Sequence, residues 1–414
     1  MARPRPLRRS EPHRVSLRSR SGLNRARPLA IAAITLAVQN GVMMSFAVLY
    51  LPLLEEFHAS RGEVAAVQSV VLLLGGFGSP LVGWAFDRLG PRRLFQLGAT
   101  LAALGFALGS QAPALPVLAL TYGLLGGLGL ACLGSQGNMT VAALWYPRAR
   151  GRAIALVDLG TGFGAFCFIP LGQALVSSLG WRPTLLVWAA LLALVLIPLN
   201  AFQGRPPSER LGPVGAAGTP PARDWTLASA LGATPFWFLA LMRFAGACAF
   251  PLMNVHMVAY AIGHGIPPAT AATALGAVSL VSLAGRMTTG WLSDRIGRPL
   301  TLTLAYGSAA VGIGCLGLLA ATGASWWLAL YVLFYGMAQG SSGIIAAARA
   351  ADVFAGAAFG SIWGMLGLAI GPGEALGAWL GGRIFDATGS YLPAFVFSVT
   401  MLVTGVIAIW RVRA

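Results

Sequence analysis

Two stretches, GWAFDRLGPRR (83–93) and GWLSDRIGRP (290–299), carry Gly, Trp, Asp, Arg and Gly in identical register. Each follows the second long apolar run of its half of the chain. A motif repeated once per half marks an internal duplication, so the fold is read as two related units. The apolar runs say what those units are made of. Of the 414 residues, 57% are hydrophobic and only 10% charged, where a soluble domain carries roughly 25% charged residues. Runs of bilayer-crossing length, about 20 residues, recur near 29–54, 63–86, 92–111, 114–146, 152–178 and 183–202, and again near 229–262, 268–292, 299–321, 326–348, 357–382 and 390–410. The expected fold class is an all-α polytopic membrane protein, with twelve transmembrane helices in two pseudo-symmetric six-helix bundles.

The polar segments divide the chain. Residues 1–28 hold nine arginines and one acid and are expected to form a basic, disordered cytoplasmic tail. An Arg- and Ser-rich leader also fits a transit peptide, and Arg8-Arg9 a twin-arginine signal. The apolar run behind it is too long for a signal core, and Pro4, Pro6 and Pro12 oppose an amphipathic leader helix. Residues 29–202 form the N-terminal bundle, and 229–414 the C-terminal one. Between them 203–228, rich in Pro, Gly and charge, reads as a cytoplasmic linker. Ser60 and Glu63 form a capping box opening span 2. Trp84, Trp145, Trp181, Trp291 and Trp410 stand near span ends, as interfacial anchors do.

Charge sets the topology. All 28 basic residues are arginine, and the formal net charge is +16. With the N-terminus inside, the cytoplasmic side receives the tail plus Arg88, Arg92, Arg93, Arg148, Arg150, Arg152, Arg205, Arg210, Arg223, Arg295, Arg298, Arg349, Arg411 and Arg413. The other side receives only Arg61, Arg182 and Arg383. That asymmetry puts both termini in the cytoplasm of a multi-pass inner (plasma) membrane protein. The arginines lie between apolar runs, not on one soluble face, so nucleic acid is excluded as a partner. The bilayer and a small solute remain, and a monomer is the expected state. Cys132, Cys167, Cys248 and Cys315 fall inside apolar runs and read as packing residues. No metal-ligand cluster, cofactor motif, HExxH or GxSxG appears, so an enzyme is not expected.

Over essentially its whole length the chain resembles the major facilitator superfamily. The two stretches look like that family's loop G-x-x-x-D-R-x-G-R/K-R/K, between helices 2 and 3 and between helices 8 and 9. The resemblance implies a transporter whose central cavity opens alternately to each side. It also implies a gating role for Gly83, Asp87, Arg88 and Gly90, and for Gly290, Asp294, Arg295 and Gly297; the plainer reading is topology charges in a tight turn. SFAVLYLPLLEEFHASRGEVA (45–65), ALWYPRARGRAIAL (143–156), VHMVAYAIGHGI (255–266) and GGRIFDATGSYLPAF (381–395) resemble the monocarboxylate and oxalate:formate branch. In that branch a helix-8 arginine binds a substrate carboxylate, and Arg286 occupies its place.

Arg286 also stands out unaided. Eight helical residues before the boundary Asp294, it lies about 12 Å deeper, where inserting an arginine costs roughly 2.5–3.5 kcal/mol on translocon scales. Ser79 holds the matching position of the first half, so the repeat does not require the charge. A fixed planar cation suits a carboxylate; the alternative is an arginine tied to carbonyls or an internal acid. Glu374 in span 11 is the proton-coupling candidate, with an ion pair to Arg286 or Arg243, or a cationic substrate, left open. Pro372 and its glycines suggest a kink there. Arg243 either faces the cavity or snorkels to the interface. Asp158 is expected to pair with Arg148 or Arg152. Gln136, Asn138 and Tyr335 are mid-span hydrogen-bonding groups, with cavity lining implied for Gln136. The expected substrate site is thus Arg286, Gln136, Tyr335 and Arg243. Helix 11 of oxalate-type members carries a lysine; Ile370 stands there, which favours a monocarboxylate over a dicarboxylate. The expected function is secondary transport of a small organic anion by alternating access, proton-coupled or by exchange. The alternatives are an efflux pump for drugs or other amphipathic compounds and, less so, a membrane sensor.

Overall fold

The structure, a computed structural model, describes residues 16–146, 150–204, 225–354 and 358–412. Most of the expected linker, the first fifteen tail residues, and Arg148, Arg205, Arg210, Arg223 and Arg413 lie outside the described residues. Among the described residues, twelve helical spans cross the molecule. They are α1 (Ala26–Phe57), α2 (61–89), α3 (91–109), α4 (Leu115–Trp145), α5 (Arg152–Leu179) and α6 (Trp181–Ala201), then α7 (Thr234–Gly263), α8 (Pro268–Ile296), α9 (Arg298–Thr322), α10 (Trp326–Phe354), α11 (359–388) and α12 (Leu392–Arg411). The helix leading into α1 already begins at Ser16. Part of the expected tail is therefore helical, since no proline interrupts the chain between Pro12 and Pro28.

Each half has its own core. Leu36, Tyr50, Phe95, Phe106, Tyr122 and Trp188 fill the first, and Phe236, Met242, Tyr306, Tyr331, Tyr335 and Phe354 the second. Large apolar side chains such as Leu81, Leu194 and Val396 stay exposed on the outside, where lipid is an adequate solvent for them. Trp84, Trp291 and Trp410 are exposed in the same way, but Trp181 is buried. Its indole Nε1–H donates to Glu56, so it ties α6 to the end of α1.

The repeated motif owes its last glycine to backbone geometry. Gly90, between α2 and α3, has φ 74° and ψ 166°. Gly297, between α8 and α9, has φ 88° and ψ 157°. Both fall in a region open essentially to glycine alone. The same sharp reversal is made twice.

Spans α4, α10 and α11 are broken. The break at Leu368–Ala369 in α11 precedes Pro372, whose ring collides with the carbonyl four residues back and whose nitrogen donates nothing. The kink read from the sequence is present there.

Two seams join the halves, α2 against α11 and α5 against α8. Glycines make the contact possible, because without helix-to-helix hydrophobic drive in lipid, close backbone packing must supply the attraction. Gly373, Gly377 and Gly381 turn one face of α11 to α7, and Gly371 and Gly382 turn another to α2. At the far side, away from the chain ends, the seam is locked by a helix cap supplied from the opposite half. The α2 terminus has four orphan N–H groups. The Ser60–Glu63 capping box handles one of them, with Glu63 N donating to Ser60 Oγ at 3.3 Å, while Ser60 N donates to Glu63 Oε2 at 2.8 Å. Arg61 N and Gly62 N donate to the Asp386 carboxylate of α11 at 2.9 and 2.8 Å. The Arg61 guanidinium lies 3.9 Å over the Phe385 ring and donates to Tyr391 Oη at 2.6 Å. Tyr50 Oη donates to Arg61 O at 2.7 Å, closing the lock.

Alanine at Gly90 or Gly297 is expected to cost about 1–3 kcal/mol through the forced backbone angles. Thermal unfolding in detergent should show a lowered midpoint for both, and none for Gly83→Ala, whose added methyl meets nothing.

Candidate functional site

Between the seams lies a cavity of about 620 Å³, walled by α1, α2 and α4 from one half and α7 and α11 from the other. Its polar wall includes Gln39, Asn40 and Gln136 of the first half, facing Arg243 and Glu374 of the second. The apolar remainder includes Met43, Leu72, Leu130 and Trp363. The break in α4 at Leu133–Gly134 aims Gln136 inward, and Asn138 stabilises it by donating to Leu133 O at 2.7 Å and Gly134 O at 3.0 Å.

Arg243 faces the cavity rather than snorkelling away. Its guanidinium sits 4.1 Å from the centre of the Trp363 ring. A π face attracts the charge but accepts no directional hydrogen bond, and the buried Nε and Nη1 donors have no partner. Among the described residues, Arg243 and Glu374 share the cavity without forming an ion pair.

Arg286 is not solitary, as its place in α8 suggested. It forms an ion pair with Asp158 of α5, across the two halves. Nη1 also donates to Thr161 Oγ1 at 3.4 Å. Thr161 O in turn accepts from the cavity-lining Asn40 Nδ2 at 2.8 Å, so Arg286 stands just behind the cavity wall. Gly340, at the break in α10, lets the guanidinium pass against its backbone. The expectation that Asp158 serves Arg148 or Arg152 is thereby corrected. Six residues beyond Arg152 along α5, it lies level with Arg286 of α8.

Tyr335 does not line this cavity. It is buried, stacks on Tyr331, and donates to Phe250 O at 3.1 Å. His256 is likewise buried in the seam, its Nε2 2.8 Å from Ala378 O.

The repeated loops are exposed on the side of the chain ends. Arg88 stacks on Trp84 at 4.6 Å and Arg295 on Trp291 at 4.0 Å, the same contact in each half. Asp294 pairs with Arg298 of its own half, which also reaches Asp352 at 3.3 Å. Gly83 and Gly290 have open space where a side chain would stand. The halves are thus locked at the far side, while among the described residues the charges of the repeated loops make their contacts within their own halves.

A cavity between two pseudo-symmetric six-helix bundles, with a repeated loop at one rim, has a counterpart in known proteins. The family model described as Major Facilitator Superfamily matches residues 30–373. The chain belongs to the major facilitator superfamily. It is therefore a membrane transporter and not an enzyme. It is 30% identical to monocarboxylate transporter 13 of Rattus norvegicus over 88% of this chain and 83% of that one. It is 24% identical to the uncharacterized transporter YcxA of Bacillus subtilis (strain 168), over 89% and 90% of the two. Among solved structures, the nucleoside transporter NupG superposes with a TM-score of 0.75 at 12% identity, covering 94% of this chain and all (100%) of that one. That likeness concerns the fold.

The sequence marked Arg286, Arg243, Glu374 and Gln136, and Asp158 with other partners, but nothing in it singled out Asn40, Thr161 or Trp363. Asp386 and Tyr391 lie within a stretch noted only for family resemblance, and Arg61 was counted only as a topology charge. Helix register would have put Arg61 at an open α2 terminus, but not Asp386 beside it.

The far-side lock has a direct test. In a variant lacking the native cysteines, a cysteine at Ser69, inside the α2–α11 seam, should react slowly with a water-soluble maleimide. Asp386→Ala removes two charge-assisted bonds and should raise that rate about tenfold or more.

Proposed function

We propose that this transporter moves a small organic anion, with a monocarboxylate as the favoured substrate, by exposing the inter-half cavity alternately to each side. The Arg243 guanidinium carries this reading: it stands in the wall of a cavity between the halves as a fixed cation with no ion-pair partner among the described residues. A carboxylate carries the complementary charge and two acceptor oxygens for a guanidinium. Arg286 is the second cation, released to substrate when Asp158 gives way, and Gln136 adds a neutral contact. Relatives named monocarboxylate transporters support the substrate class.

Glu374 is the proton-carrying group in this proposal. A carboxyl beside Arg243 can accept a proton as the anion enters, so the occluded carrier gains no net charge. With both termini cytoplasmic in the plasma membrane, the cavity opens inward and the Arg61–Asp386 lock is the outer seal. When the inner side closes, Asp87, Arg88, Asp294 and Arg295 form the latch, and Gly83 and Gly290 admit the approaching helices. The apolar wall and a volume suited to drug-sized molecules favour efflux of amphipathic compounds as the second reading.

The two readings part on the arginines. In proteoliposomes, Arg243→Ala and Arg286→Ala should each lower carboxylate uptake by about a hundredfold or more, the loss from truncating one side of a buried charge pair. Both variants should still insert, and carboxylates that stabilise the parent against heat should no longer stabilise them. Undiminished uptake would overturn the anion site, and unchanged extrusion of cationic dyes alone would favour efflux.

A further inference from the structure

We infer that Asp158 is the internal counter-charge that lets the carrier reorient empty, so that this protein performs net transport and not only exchange. This rests on the anion-transport reading above. Two cations belong to the cavity region, Arg243 in the wall and Arg286 just behind it. Two acids match them: Glu374 shares the cavity with Arg243, and Asp158 is ion-paired with Arg286. The Arg286 and Asp158 side chains are only 26% and 21% exposed.

The position of the pair gives it this role. It bridges α5 of one half and α8 of the other, and neighbouring contacts place it towards the open end of that seam. Gly162 packs on Leu283, and Gly276 on the Phe166 backbone, one and three turns further in. Beyond Arg286, the loop residues Asp294 and Arg298 at the end of α8 pair within their own half. When the open side closes, water leaves this region and every charge in it must be matched.

Without substrate the matched set carries no net charge, so closure strands nothing. An entering carboxylate adds one negative charge, which a proton on Glu374 offsets. Neutralising Asp158 reverses the balance. The empty cavity then holds one unmatched arginine, and only a bound anion cancels it. Such a variant crosses loaded in both directions but does not return empty.

Asp158→Asn removes the counter-charge but leaves Arg243 and Arg286 in place for a carboxylate, so exchange and net transport can be read separately. Proteoliposomes are assayed with labelled lactate, pyruvate and benzoate. Counterflow into vesicles preloaded with the unlabelled acid should persist, while net uptake into unloaded vesicles falls by about tenfold or more. Asp158→Glu, which keeps the charge, should restore net uptake. Equal loss in both assays would reduce Asp158 to a structural tie and overturn the inference, as would undiminished net uptake.

A measurement without substrate keeps this test apart from that of the anion reading. Spin labels at Arg92 and Ile296, on a background without native cysteines, report whether the side of the chain ends is open or closed. The empty parent should show both separations, and empty Asp158→Asn only the long one. If none of the three acids is carried by the parent, the substrate reading falls. If the empty variant still shows both separations, the role of Asp158 falls.

Discussion

A charge inside a bilayer must find a partner within the protein, because neither lipid nor distant water can supply one. That constraint shapes this molecule more than any single packing contact. Its helices are mostly apolar and could associate in many ways; the few charged side chains allow one. Arg286 meets Asp158 only if α5 of one half lies along α8 of the other. Asp386 meets Arg61 N and Gly62 N only if α11 lies along α2. The two seams follow, and the cavity is the space they leave between them.

The seams also explain the glycines. Helices in lipid gain nothing from hydrophobic exclusion, so they must approach closely enough for dispersion and backbone contacts to hold them. Gly76 and Gly371 meet across one seam, and Gly162 receives Leu283 across the other. Such interfaces have few interlocking side chains, which suits surfaces that must slide. The directional bonds are concentrated at the far side, around Asp386 and Tyr391, where a few hydrogen bonds decide whether the seam stays shut.

The cavity combines an unsatisfied cation with an apolar wall. Arg243 is held by Trp363, which stabilises its charge while leaving two donors free. An arginine fully paired with Glu374 would have nothing to offer a ligand, and one exposed to bulk water would discriminate poorly. Arg286 shows the opposite arrangement, already satisfied by an internal carboxylate. One cation stands ready and the other is held in reserve, which fits a site that must bind an anion yet tolerate being empty.

Twelve spans, two related halves and the turns at Gly90 and Gly297 were legible in the sequence, because each depends on local composition or on a short repeat. A run of about 20 apolar residues crosses a bilayer whatever its neighbours are, and a backbone angle open only to glycine demands glycine. Arg286 and Glu374 were legible as anomalies for the same reason: charge is conspicuous in an apolar run. Their partners were not. Asp158 and Arg286 are 128 residues apart, and only the crossing of α5 with α8 makes them neighbours. The depth of Arg286 followed from helical rise, whereas its neutralisation by Asp158 depended on which helix packed beside it. Likewise Arg243 could have pointed either way along α7 until Trp363 fixed its direction. Sequence set which charges lie in the membrane; the packing of the two halves decided which of them remains free.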